Sequence, residues 1–143
     1  MIMNKTLLCI LSGIFLTGAL HAADAPTTHP TSVPTQPAVH NVTVEEFEKL
    51  AADSKNVILD VRTPREFAAG HLPGAVNINW TDKSFGEKIA ALDKSKNYLV
   101  HCAIGGRSSK ACNKLNEEQF PNVYNLKGGI EAWTKAGKEI VKE

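Results

Sequence analysis

Hydrophobic positions follow two alternating patterns from about Asn41 to the end of the chain. Short, continuous apolar runs cover residues 57–61, 75–78, 98–101 and 123–126, which is typical of strands buried on both faces. Between these runs, apolar residues recur every three or four positions, as on one face of a helix. Strands that alternate with helices predict an α/β fold: a parallel sheet of about five strands with helices on both faces.

Capping signals delimit the predicted helices. Thr43 and Glu46 have the spacing of a capping box at the start of the first helix. Thr63 is the expected N-cap of the second helix, Pro64 occupies its first turn and Gly70 ends it. The later helices are predicted over residues 85–92, over 108–118 and after the Gly-Gly pair at 128–129.

The first 22 residues have a different pattern. Lys5 precedes an almost wholly apolar stretch at 7–20, and small residues follow at 21–23. A stretch of this length is too short to cross a hydrocarbon layer of about 30 Å, but it is typical of a secretory signal peptide. We therefore expect cleavage after Ala22 or Ala23, export to the periplasm and no membrane association afterwards.

Residues 23–40 contain four of the seven prolines together with many Thr, Ser and Ala residues. Such a segment cannot form a hydrophobic core, so it is predicted to be a semi-extended linker that leads into a domain at 41–143. His29 and His40 are isolated in this linker, and a metal site is not expected there.

Charge and cysteine content restrict the function further. The chain has 143 residues, enough for one domain, and without Lys5 its basic and acidic residues are equal in number. This balance argues against a nucleic-acid partner, because such binding depends on phosphate neutralisation. After signal cleavage two cysteines remain, Cys102 and Cys112. A disulfide between them is one alternative, but the apolar neighbours of Cys112 favour a packing role.

Residues 101–109 read His-Cys-Ala-Ile-Gly-Gly-Arg-Ser-Ser and directly follow a predicted strand. Cys102 opens a six-residue loop, here called the Cys102 loop (102–107), which ends in Arg107 near the start of a helix. Gly105 and Gly106 let the backbone N–H groups converge on one point, and the helix N-terminus adds positive potential. Both effects stabilise a thiolate, so Cys102 is the candidate nucleophile; a buried cysteine at a strand end is the alternative.

Three motifs give the chain a family resemblance. Residues 60–67 and 70–77 resemble the N-terminal signature of rhodanese-like domains, residues 101–108 resemble their active-site loop, and residues 126–133 resemble their C-terminal signature. The motifs occur in the order and spacing of that family and cover about 41–140. With the export signal, the chain is similar to small periplasmic single-domain rhodaneses.

The resemblance implies a sulfurtransferase. Cys102 would take sulfane sulfur from thiosulfate or a persulfide and pass it to cyanide or a thiol, and either substrate could be carried by a protein. The implied substrate-binding residues are those that follow the nucleophile: Ala103, Ile104, Gly105, Gly106 and Arg107. No metal or organic cofactor is implied. Because Ile104 is apolar and Arg107 is the one cation of the Cys102 loop, we expect weak capture of thiosulfate.

Other signature residues have expected supporting roles. Asp60 is expected to support the loop through hydrogen bonds, and Arg62 to contact the sulfur donor. His71 is expected to lock a turn, because a low-pKa thiolate needs no histidine base. Trp133 is expected in the core.

Three other functions stay open at this point. A Cys-to-Arg loop also suits a phosphatase or an arsenate reductase, although those loops are one residue longer in related families. A rhodanese-like domain can also be a non-catalytic binding module, but the intact Cys102 argues against that. A thiol redox protein that uses Cys102 and Cys112 is disfavoured by the absence of a Cys-X-X-Cys motif.

Overall fold

The computed structural model describes residues 38–143, so the predicted signal peptide and most of the predicted linker lie outside the described residues. A five-stranded sheet in the order β1-β5-β4-β2-β3 has only parallel pairings. Its strands are β1 (Ala38–Val42), β2 (Asn56–Asp60), β3 (Val76–Asn77), β4 (Asn97–His101) and β5 (Asn122–Leu126). The helices are α1 (Val44–Ala51), α2 (Pro64–Ala69), α3 (Phe85–Ala90), α4 (Gly106–Glu117) and α5 (Gly129–Lys135). The predicted α/β fold class is confirmed.

Strand β1 begins at Ala38, inside the segment predicted to be linker. It pairs with β5 from Ala38 opposite Asn122 to Val42 opposite Leu126. The hydrophobic pattern that would predict this strand is weak, because β1 is an edge strand in which His40 and Asn41 are polar and exposed. The folded region therefore starts earlier than predicted, and the ring of His40 stacks on Tyr124 with a centroid distance of 5.1 Å.

The core lies in two clusters, one on each face of the sheet. Consecutive residues of β4 alternate between them, with Leu99 in one cluster and Val100 in the other, both completely buried. Helices α3 and α4 pack in the Val100 cluster, while α1 and α5 pack in the Leu99 cluster. Burial on both faces explains why the central strands have continuous apolar runs.

The predicted capping box of Thr43 and Glu46 is present, and so is the predicted N-cap Thr63. The structure adds a second capping box that was not predicted, because Glu66 also bonds back to the main chain of Thr63. Helix α4 begins at Gly106, slightly before the predicted start, because Gly105 has a φ of 104° and turns the chain sharply into the helix. Within 38–143, no helix has the length and hydrophobicity to cross a membrane.

Candidate active site

Cys102 lies at the carboxyl end of β4, where parallel sheets bind ligands. Its residue surface is 1% exposed. The Gly105 N–H donates a hydrogen bond to the Cys102 Sγ over 3.1 Å. The Ser108 hydroxyl lies 3.5 Å from the same Sγ and 3.1 Å from the Gly105 carbonyl oxygen. The sulfur is therefore surrounded by donors from the turn and the first turn of α4.

The two thiols of the described region have opposite pKa shifts. Burial raises the pKa of Cys102, but hydrogen bonds from the Ser108 hydroxyl and from backbone N–H groups outweigh it, and the net pKa is lowered. Burial raises the pKa of Cys112 to about 12, and the negative charge of Cys102 adds to this effect. Both cysteines are free thiols. Cys102 is thus the better nucleophile, since the thiolate is the reactive form.

The N-terminus of α5 donates two backbone hydrogen bonds to the Cys102 loop. The Ile130 N–H donates to the Cys102 carbonyl oxygen over 2.8 Å, and the Glu131 N–H donates to the Ala103 carbonyl oxygen over 3.1 Å. Gly129 has a φ of 57°, and a Cβ on it would lie 2.5 Å from the Ala103 carbonyl oxygen. Gly129 therefore has a role that was not predicted from the sequence: it allows the N-terminus of α5 to approach the backbone of Cys102 and Ala103.

Arg107 forms a two-point ion pair with Glu66, which was not among the expected site residues. Its Nη1 and Nη2 donate to the two Glu66 carboxylate oxygens over 2.9 and 2.7 Å. The hydrogen bond from Arg107 is the largest cause that lowers the pKa of Glu66 to about 2. Arg107 was expected to bind the sulfur donor as the one cation of the Cys102 loop, whereas its charge is balanced here. Glu66 was not singled out because, in the sequence, it is an ordinary first-turn residue of the second predicted helix.

Asp60 and Arg62 form a second balanced pair, and both are buried. The Arg62 Nε and Nη2 donate to Asp60, at 3.0 and 2.6 Å from Oδ2, and Nη2 also donates to the Gly70 carbonyl oxygen over 2.7 Å. These donors are directed into the protein, so the geometry favours a structural role for Arg62; its expected contact with the donor stays a prediction. Asp60 bonds to Arg62 rather than to the Cys102 loop, and its Oδ2 lies 3.6 Å from Nε2 of His101.

His71 and Trp133 have the contacts of structural residues. The His71 Nδ1–H donates to the Phe67 carbonyl oxygen over 3.0 Å, and its ring stacks on Phe67. The main chain of His71 pairs with Val141 in both directions over 2.9 Å. The Trp133 Nε1–H donates to the Glu139 carbonyl oxygen over 2.8 Å.

Beside the Cys102 loop lies a cleft of about 590 Å³. Ile104 of the loop is 66% exposed and forms part of its wall. The other lining residues come from α5 and the preceding turn: Gly128, Glu131, Ala132, Thr134 and Lys135. The Cys102 loop therefore borders this cleft through Ile104, whereas Cys102 itself is buried. Residues 38–143 hold no group of three or more side chains suited to bind a metal ion.

Comparisons with known proteins agree with this geometry. The family model described as "Rhodanese-like domain" matches residues 43–136. A protein named sulfurtransferase from Allochromatium vinosum is 33% identical over 104 residues, which are 72% of this chain and 95% of that protein. Thiosulfate sulfurtransferase 16, a chloroplast protein of Arabidopsis thaliana, is 38% identical over 89 residues, 55% of this chain and 74% of that protein.

The fold comparison gives the same family. The crystal structure of a rhodanese-related protein from Thermoplasma volcanium superposes with a TM-score of 0.65 at 29% identity. The match covers 73% of this chain and 99% of that one. A fold of the same topology, a cysteine at the carboxyl end of β4 and the matched family model lead to one conclusion. This chain belongs to the family of rhodanese-like domains.

Proposed function

We propose that the protein is a rhodanese-type sulfurtransferase that carries sulfane sulfur as a persulfide on Cys102. The observation that supports this most strongly is the Cys102 Sγ held between the Gly105 N–H and the Ser108 hydroxyl, with a lowered pKa. Relatives named sulfurtransferases support the general activity. The predicted signal peptide supports action in the periplasm, and N-terminal sequencing of the exported protein tests that location.

The first half-reaction begins with the Cys102 thiolate. It attacks the outer sulfur of the donor, a Cys102–S bond forms, and the donor's S–S bond breaks. Thiosulfate would release sulfite with the bonding electron pair, and a persulfide would release its parent thiolate. The outer sulfur of the new persulfide then carries the negative charge, which the N–H groups of the Cys102 loop stabilise as they would an oxyanion.

In the second half-reaction an acceptor attacks that outer sulfur. Cyanide gives thiocyanate and a thiolate gives a new persulfide, and in both cases the S–S bond electrons return to Cys102. No proton transfer to a protein base is needed when Cys102 is already ionised. The mechanism is therefore a two-step transfer without a cofactor, as in other covalent catalysis of the ping-pong type.

The geometry of the site fits the three competing functions less well. A redox couple of Cys102 and Cys112 needs a second reactive thiol, whereas burial raises the pKa of Cys112 to about 12. A phosphatase needs a free loop arginine for the phosphoryl oxygens, whereas Arg107 is occupied by both Glu66 oxygens. A purely binding module does not require the lowered pKa of Cys102.

Intact-mass measurement tests the proposal directly. We expect the protein to gain one sulfur atom on incubation with thiosulfate or an organic persulfide, and to lose it on addition of cyanide with release of thiocyanate. Cys102→Ser should fold and gain no sulfur. A folded wild-type protein that gains no sulfur from either donor would exclude the sulfurtransferase.

A further inference from the structure

Two arginines at the carboxyl edge of the sheet are each paired with a carboxylate. Arg62 pairs with Asp60 over 2.6 Å, and Arg107 pairs with Glu66 over 2.7 Å. Both pairs lie near the candidate nucleophile, because Asp60 is opposite His101 in the β2–β4 pairing and Arg107 ends the Cys102 loop. The two arginines therefore contribute no net positive charge, and within the Cys102 loop attraction of an anion is left to the backbone N–H groups.

Glu66 is fixed in the position that neutralises Arg107. Its Oε2 accepts hydrogen bonds from the Thr63 hydroxyl over 2.7 Å and from the Thr63 N–H over 3.0 Å. Both of its oxygens also accept from Arg107. Rotation of the carboxylate away from Arg107 would break its hydrogen bonds to Thr63, which are the reciprocal half of the capping box, so the ion pair is tied to the fold of α2.

The balance of charge disfavours a doubly charged donor. Thiosulfate is a dianion that must approach an ionised Cys102, and like charges repel unless a cation screens them. Ile104 of the Cys102 loop is apolar, largely exposed and borders the 590 Å³ cleft. An organic carrier of low charge fits this surface better than a small dianion does.

We propose that Glu66 is a specificity-determining residue, which neutralises Arg107 and so directs the site toward persulfides on organic carriers and away from thiosulfate. The inference rests on the proposed sulfurtransferase function and adds the class of donor to it. Glu66 acts through Arg107 and does not touch the transferred sulfur.

The test compares two sulfur donors that differ by one charge. Methanethiosulfonate is a monoanion with the same sulfane sulfur as thiosulfate and a methyl group in place of one charged oxygen. In Glu66→Gln the N-cap persists, because glutamine also serves in capping boxes, but Arg107 regains its charge. We expect kcat/KM for thiosulfate to rise about tenfold relative to kcat/KM for methanethiosulfonate.

Glu46→Gln is the matched control. Glu46 completes the capping box of α1 as Glu66 completes that of α2, so its substitution removes a carboxylate with the same local role without freeing Arg107. We expect its donor ratio to change less than about threefold. An unchanged ratio in Glu66→Gln, or an equal rise in both variants, would overturn the assignment of Glu66 even if the wild type transfers sulfur normally.

Salt dependence provides a second measurement that needs no variant. If Arg107 is neutralised, kcat/KM for thiosulfate in the wild type should stay constant or rise between low and physiological ionic strength, because salt screens the repulsion between thiosulfate and the Cys102 thiolate. A steep fall with salt would show a free cation at the site and contradict the inference. Absence of sulfur transfer from both donors would instead refute the proposed function itself, which keeps the two failures distinguishable.

Discussion

Ser108 allows the electrostatic origin of the Cys102 reactivity to be tested with a very small change. The Ser108→Ala substitution removes the hydroxyl that lies 3.5 Å from the Sγ, at a completely buried position. Alanine favours helix, so α4 should persist. A hydrogen bond to a charged group contributes about 1.5–3 kcal/mol, and the long contact to sulfur places this one at or below the lower limit. Because one pKa unit corresponds to about 1.4 kcal/mol, the pKa of Cys102 should rise by about one unit.

Thiolate absorbance in the ultraviolet measures that pKa without requiring reagent access to the buried sulfur. The titration of each variant is referred to Cys102→Ser, which removes the signal of the nucleophile. Sulfur transfer near neutral pH should decrease in Ser108→Ala and recover as the pH is raised, because the remaining thiol then ionises.

Ser109→Ala is the matched control, since Ser109 is the exposed neighbour on the same helix turn. Its titration midpoint should equal that of the wild type. If Ser108→Ala left the midpoint unchanged or lowered it, hydrogen bonding by Ser108 would not be what stabilises the thiolate. The backbone N–H groups would then have to account for the whole effect.

Three further predictions concern other parts of the site. Cys112→Ala should retain sulfur transfer and lose about 1 kcal/mol of unfolding free energy in denaturant titration, and loss of turnover in the folded variant would favour a two-cysteine mechanism. Gly129→Ala should lose about 2 kcal/mol or more of unfolding free energy and most of its activity, because the new Cβ would clash with the Ala103 carbonyl oxygen. Gly137→Ala is the control: Gly137 has a φ of 72° and open space around it, so the substitution should lower stability but not activity. The fold lowers the pKa of Glu66 from 4.5 to about 2. The ionised carboxylate should therefore contribute fully to the free energy of unfolding above about pH 4.5, and this contribution should disappear as the pH falls toward 2. In Glu66→Gln, the free energy of unfolding should lack this part of the acid dependence.

The sequence predicted those features that depend on local chemistry. The capping box of Thr43 and Glu46, the buried strands and the turn of the Cys102 loop into α4 all depend on neighbouring residues, and the structure contains each of them. Strand β1 was missed because its hydrogen bonds join it to β5, about eighty residues away along the chain, and its own apolar pattern is short. Its pairing could not be found from local periodicity.

The ion pair of Arg107 and Glu66 was missed for a related reason. The two residues are 41 positions apart, and local spacing relates Glu66 only to the first turn of a helix and Arg107 only to the Cys102 loop. The fold brings the start of α2 next to the start of α4 at the carboxyl edge of the sheet. Residue types alone therefore indicated a cationic site, whereas the spatial arrangement gives a balanced one.

In the proposed mechanism, the balanced charge leaves the backbone N–H groups to stabilise the transferred sulfur. Donors from Gly105 and Ser108 point at Cys102, and α5 fixes the loop through the Cys102 and Ala103 carbonyl oxygens. N–H groups held by two helices need no reorganisation when the negative charge moves from the thiolate to the outer sulfur of the persulfide. A mobile arginine would instead stabilise the bound anionic donor as much as the charged intermediate. Such uniform binding does not accelerate the chemical step. The geometry is thus arranged to stabilise the carried sulfur more than the incoming anion.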